Sequence, residues 1–143
     1  ADSEGEEDFG KLDEDLSAVL RFARDQGRSE IFLIGASMGG TASLVVAAQE
    51  DVAGVVSISA PSEFEGQDAL AAVANIDEPK LFIAAEDDTA AMLSLDELAG
   101  AASDPKDEQT YTGNAHGTNL FQSEHSAEIR QRVLDFLREN SQS

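Results

Sequence analysis

The 143-residue sequence contains no cysteine, which excludes disulfides, thiolate zinc sites and a cysteine nucleophile. No stretch approaches the ~18–20 uninterrupted apolar residues of a membrane-spanning helix, so we expect no membrane partner. Nothing at Ala1 is typical of a signal peptide, and we expect a cytoplasmic protein; a leader upstream of Ala1 would change that expectation. Basic residues are scarce, with nine Lys and Arg against 29 Asp and Glu. The resulting net charge of −20 repels phosphates, so we expect no nucleic-acid partner.

The acidic residues are dispersed along the whole chain, and only three residues are lysine. Dispersed acid with scarce lysine is typical of proteins from salt-loving organisms, where counter-ions screen the self-repulsion of the surface. An ordinary acidic protein is the alternative. The charge pattern concerns solvent and partners rather than the fold.

The apolar pattern predicts a single α/β domain over residues 1–143, a length typical of one domain. Short apolar or β-branched runs predict strands at residues 31–34, 52–58, 80–85 and 108–112. Apolar residues spaced three and four apart predict helices at residues 9–23, 44–51, 68–73, 92–102 and 129–137. Strands and helices that alternate in this way form a parallel sheet covered by helices on both faces.

The most specific motif is G-x-S-x-G at residues 35–39, directly after the first predicted strand and before a helical segment. A turn this tight holds the serine in a strained backbone conformation, and the flanking glycines avoid clashes. The Ser37 hydroxyl would then stand above the carboxyl end of the sheet, next to a helix N-terminus that can stabilise an oxyanion. The alternative is a glycine-rich turn that binds phosphate or only packs closely. The strand–turn–helix context favours a nucleophile.

With this motif the sequence resembles the α/β-hydrolase family, whose triad runs in the chain order nucleophile, acid, histidine. The resemblance implies that Ser37 is the nucleophile. In the family a later strand commonly ends in glycine, and the acid lies three residues after that glycine. Here Ala85 occupies the glycine position, so the resemblance implies Asp88 as the acid. Asp87 is the competing candidate, because a one-residue shift of the strand end would exchange the two.

The resemblance also implies that His116, followed by a glycine in the loop at residues 113–118, is the general base. His125, the other histidine, lies at the start of the last helix beside Glu124 and is expected to be a surface residue. The implied reaction is acyl transfer on a small ester or related acyl substrate, with the backbone N–H of Met38 as one oxyanion donor. No metal or organic cofactor is implied.

The resemblance covers only the C-terminal part of the family's domain, beginning after its fourth strand. The family's upstream oxyanion loop, often written H-G-G-G, is missing, since neither histidine precedes Ser37. Two hypotheses follow: a serine hydrolase, or a catalytically silent half-domain that serves assembly. The strand at residues 31–34 would be an open apolar edge, which a second copy or a complementing chain could cover.

Overall fold

Residues 30–141 are described by a computed structural model, and the helix predicted over residues 9–23 lies outside them. The strands are β1 (Phe32–Ala36), β2 (Gly54–Ile58), β3 (Glu63–Phe64), β4 (Gln67–Asp68), β5 (Lys80–Ala85) and β6 (Lys106–Tyr111). The helices are α1 (Met38–Ala47), α2 (Ala69–Val73), α3 (Thr89–Ala101) and α4 (Ser126–Asn140), and a 3₁₀ helix spans Gly117–Gln122.

The main sheet has four parallel strands in the order β1-β2-β5-β6, and β3 and β4 form a small separate hairpin. The predicted parallel sheet of about four strands, flanked by helices, is therefore confirmed. Within residues 30–141, β1 pairs with a strand on one side only. No helix of the described segment is long and apolar enough to cross a membrane.

The core has two layers because side chains of the central strands alternate between the two faces of the sheet. One layer packs the sheet against α1, α2 and α3 and includes Val55 and Phe82. The other packs it against α4 and includes Val56 and Ile83. Both faces of β2 and β5 are buried, which explains their continuous apolar sequences.

Several boundaries differ from the prediction, and polarity or missing periodicity explains each difference. Helix α1 begins at Met38, several residues earlier than predicted, because Gly40 to Ala47 are all buried and show no amphipathic spacing. Strand β6 begins at Lys106 rather than residue 108. The first residues of this edge strand are polar and largely exposed, so they show no apolar strand pattern in the sequence. The β3–β4 hairpin was not predicted, because two-residue strands are too short to show a pattern.

Candidate active site

Ser37 is the single residue between β1 and α1, and its backbone is strained. Its φ of 53° and ψ of −126° lie in a region that residues with side chains seldom adopt. Its N–H donates to the carbonyl of Ile58 at 2.7 Å, which extends the β1–β2 ladder by one bond. Its carbonyl accepts from the N–H of Gly40 at 2.9 Å and starts α1. The chain therefore changes from strand to helix within one residue.

The glycines around Ser37 contribute unequally to this turn. A Cβ on Gly35 would lie 2.3 Å from the carbonyl oxygen of Gly39, so β1 and α1 can meet only if residue 35 has no side chain. A Cβ on Gly40 would lie 2.8 Å from the Ala60 Cβ. Gly39, by contrast, has open space within 4 Å of the same position. The expectation that the flanking glycines avoid clashes therefore holds for Gly35 and is wrong for Gly39, whereas Gly40, directly after the motif, does avoid a clash.

The three predicted site side chains come together at the carboxyl ends of the strands. The Oγ of Ser37 lies 3.0 Å from Nε2 of His116. The Nδ1 of the same ring lies 2.5 Å from Oδ2 of Asp88. The Asp88 side chain is 13% exposed and the His116 side chain 49% exposed. A largely buried carboxylate thus holds one side of an imidazole whose other side reaches the serine hydroxyl.

Of the two neighbouring aspartates, Asp88 is the one that contacts His116. Asp87 is exposed, and its backbone N–H donates to the carbonyl of Gly113 at 2.8 Å. This backbone bond ties the loop after β5 to the loop that carries the histidine.

His125 is the N-cap residue of α4 and forms a separate hydrogen-bonded cluster. Its Nδ1 lies 2.8 Å from the Glu128 carboxylate, and its Nε2 lies 2.8 Å from the Thr112 hydroxyl. The hydrogen bond to Glu128, together with the charge of Glu124, raises the pKa of His125. The expected position at the helix entry is confirmed, but the side chain is only 17% exposed because it joins the start of α4 to the end of β6.

Met38 is the first residue of α1, so its N–H belongs to the first helical turn, which has no intrahelical acceptor. In the part of the chain that the structure describes, no three His, Asp or Glu side chains are grouped to hold a metal ion.

One buried serine at the site was not predicted. Ser59 follows β2, and its hydroxyl accepts the N–H of Gly117, the residue after His116, at 2.9 Å. These two residues are 58 positions apart, and a serine after an apolar strand carries no sequence signal of such a contact. Only the three-dimensional structure identifies it.

The strand order, the helices on both faces and the position of these side chains define an α/β-hydrolase fold. An esterase domain from Rhodothermus marinus superposes with a TM-score of 0.75 at 24% identity, covering 90% of this chain and 69% of that one. A dienelactone hydrolase from Anabaena variabilis gives 0.79 at 22%, covering 93% and 61%. An α/β serine hydrolase homologue from Coxiella burnetii gives 0.72 at 26%, covering 99% and 64%.

The sequence model of the dienelactone hydrolase family matches residues 3–140, and the chain belongs to this family. The resemblance to the C-terminal part of an α/β hydrolase is therefore confirmed. The chain spans between 61% and 69% of the length of the three structures described above. A search among curated proteins finds no match.

Proposed function

We propose that this chain carries the serine-hydrolase chemistry of an enzyme that cleaves carboxylic esters or related acyl substrates. The observation that supports the proposal is the continuous series of hydrogen bonds from Ser37 through His116 to Asp88. Nucleophile, base and orienting carboxylate within hydrogen-bond reach of one another are what activation of a serine requires. The series is unlike a random surface cluster, since its serine stands on a strained turn between β1 and α1.

In the proposed mechanism, Nε2 of His116 accepts the hydroxyl proton while the Ser37 oxygen bonds to the acyl carbon. The bond from this carbon to the leaving alcohol breaks, and the leaving oxygen takes the proton from Nε2. Water then attacks the acyl-enzyme with the same histidine as base, which releases the acid and regenerates Ser37. Asp88 holds the ring with Nδ1 protonated and stabilises the imidazolium without accepting its proton.

The N–H of Met38 is the oxyanion donor that these residues supply, because it follows the nucleophile and opens α1. A second donor would come from a segment equivalent to the part of the longer relatives that lies outside the match to this sequence. Loss of one donor typically lowers kcat by about 10²–10³. We therefore expect weak turnover by residues 1–143 alone, with formation of the acyl-enzyme easier to detect than steady hydrolysis.

Within residues 30–141 the site is open, and we infer from this that it takes small or exposed acyl groups. The segment between β2 and β5 contains only the β3–β4 hairpin and the five-residue helix α2, which is too little for a large lid. The similar Anabaena protein is a dienelactone hydrolase. A lactone is a cyclic ester, so small lactones belong among the first substrates to test.

The second candidate is a catalytically silent part of a larger assembly. The observation in its favour is that the chain spans only 61% of the Anabaena enzyme. In that case the geometry of Ser37 and His116 would persist without reactivity.

Labelling by a fluorophosphonate probe separates the two candidates, because the probe reacts with an activated serine without turnover. We expect stoichiometric labelling of Ser37 in the wild type and none in Ser37→Ala. The matched control is Ser62→Ala, which removes a partly exposed serine from the loop after β2 and should label like the wild type. Absence of labelling that depends on Ser37, in a protein with a cooperative melt, would leave the silent assembly as the remaining candidate.

A further inference from the structure

Ser59 lies between the elements that carry the catalytic side chains and bonds to two of them. Its N–H donates to the carbonyl of Ile83 in β5 at 2.8 Å, and β5 leads to Asp88. Its hydroxyl accepts the N–H of Gly117 at 2.9 Å, directly after His116. Together with the bond from the Ser37 N–H to the residue before Ser59, these contacts join all three parts of the site.

The backbone and burial of Ser59 indicate that its hydroxyl has a role. The residue has a φ of 55°, in the left-handed region where glycine is the favoured residue, and is 2% exposed. A serine there has both a strained backbone and a buried polar group. A buried hydroxyl needs a hydrogen-bond partner. Among the described contacts of this side chain, that partner is the N–H of Gly117.

The loop that carries His116 is anchored on both sides of the histidine, while the histidine side chain itself is half exposed. Residues 112–114, just before it, are exposed, and the His116 side chain is half exposed. Ala115 before it and Leu120 after it pack against the core layer under α4, so what remains to be fixed is the backbone next to the histidine. The loop backbone is attached at one end by the bond from the Asp87 N–H to the Gly113 carbonyl and at the other by Ser59. Loss of the second attachment would loosen the backbone directly after the histidine while leaving the first in place.

We propose that Ser59 is a positioning residue that fixes His116 between Ser37 and Asp88, an inference that rests on the proposed function. Gly117 permits this backbone because its φ of 62° lies in the left-handed region, and a Cβ there would be in ordinary contact with the Ser37 Cβ at 3.6 Å. The backbone after the histidine is thus close to the nucleophile, and the Ser59 hydroxyl fixes the position of this backbone relative to the sheet.

Two substitutions and one control test this role. Ser59→Ala removes the hydroxyl, and Ser59→Gly removes it while relieving the strained backbone, so the second variant should fold even if the first is destabilised. We expect both to label with fluorophosphonate about 10- to 100-fold more slowly, since a displacement of about 1 Å at a catalytic group has effects of this size. Ser57→Ala, at a buried serine of β2 itself, should label at the wild-type rate.

The His116→Ala background distinguishes positioning from general damage. If Ser59 acts through the histidine, Ser59→Gly should change the residual labelling rate by less than about twofold there, as coupled sites are not additive. An equal loss in both backgrounds, or wild-type labelling of Ser59→Gly, would overturn the proposal.

The position of His116 can also be measured by NMR, which does not require Ser37 to be reactive. In the wild type, NMR should show the Gly117 amide protected from hydrogen exchange, and the imidazole ¹⁵N shifts of His116 should report a single tautomer with Nδ1 protonated. In Ser59→Gly we expect rapid exchange of that amide and a mixture of tautomers. If the wild type fails to label, the proposed function fails, and these two signals still decide the role of Ser59: unchanged signals in the variant overturn it.

Discussion

Replacement of Asp88 by asparagine is the sharpest perturbation of the proposed triad, because it changes one atom of the carboxylate and little else. Asp88 precedes α3 as its N-cap residue but makes no side-chain capping bond, so the substitution removes no capping hydrogen bond from the helix. Asparagine is in any case an equally good N-cap residue. Its amide can present an N–H to Nδ1 of His116, which favours the tautomer with the proton on Nε2. That ring cannot accept the proton of Ser37.

The expected size of the effect follows from burial and exposure at the two ends of the bond. In a well-studied serine protease the same change of the triad acid lowers kcat by about 10⁴. Here the Asp88 carboxylate is 13% exposed, but the His116 ring that it supports is 49% exposed. Water can stabilise part of the imidazolium charge on an exposed ring. We therefore expect a smaller loss of about 10³ in acylation rate, equivalent to about 4 kcal/mol of transition-state stabilisation.

The assay is the second-order rate of fluorophosphonate labelling, with Asp87→Asn as the matched control. That variant makes the same change of charge at the adjacent residue, on an exposed side chain, and keeps the backbone bond to Gly113. We expect its rate to stay within about twofold of the wild type, as for surface substitutions away from a site. Equal losses in the two variants would refute the assignment, since they would show a general effect of charge. A slow Asp87→Asn with a normal Asp88→Asn would transfer the role to Asp87.

Four further outcomes are expected. Gly35→Ala should fail to give a cooperative thermal melt, because its Cβ would lie 2.3 Å from a carbonyl oxygen of α1. Gly39→Ala has open space around its Cβ and should melt at or above the wild-type temperature. Equal melts would contradict the steric argument. The melting temperature should rise between dilute buffer and 1 M salt, where the Debye length is ~3 Å, and a flat response would count against a halophile-like surface. The raised pKa of His125 should stabilise the fold fully below its ordinary value of 6.5, and this contribution should disappear as the pH rises through the raised pKa. The difference in melting temperature between the wild type and His125→Gln should therefore shrink at alkaline pH, and a constant difference would contradict it. Self-association through β1 should appear in light scattering as a mass that grows with concentration. Because Ile34 is 48% exposed on this strand, Ile34→Lys should lower that mass. A monomer at every concentration would contradict the open edge.

The sequence allowed the sheet to be predicted from local signals, and the motif together with the family resemblance singled out the three side chains that the structure brings together. Strands β2 and β5 are buried on both faces and therefore appear as apolar runs. Ser37 lies in a motif whose spacing is set by a single turn, and Asp88 and His116 follow strands in a recognisable order. The acid remained ambiguous between two residues because a strand end cannot be located to one position from composition.

The features that were not predicted depend on how the backbone places acceptors and donors in space, either across the chain, as for Ser59 and Gly117, or within one turn. Lys80 is an example: it begins β5 and is 1% exposed, although lysine is rarely buried. Its ammonium donates to the carbonyls of Ile76 and Glu78, and burial lowers its pKa. The lysine is tolerated there because the chain turns back before β5 and presents two acceptors, which no periodicity could reveal.

The backbone conformation adds a last argument about the site. Three non-glycine residues of the described segment have a positive φ: Ser37, Ser59 and Glu65. Glu65 is explained by its place in the β3–β4 hairpin, followed by Gly66 at φ 83°, where tight turns require such angles. Neither serine lies in a hairpin: Ser37 is the strand-to-helix turn and Ser59 follows β2, and glycine would satisfy both backbones at lower cost. What glycine cannot supply is a hydroxyl, and each serine hydroxyl meets the His116–Gly117 segment, one at the imidazole and one at the backbone N–H. If the roles proposed above hold, the strain at both positions is the cost of placing one hydroxyl oxygen against the His116 imidazole and another against the Gly117 N–H.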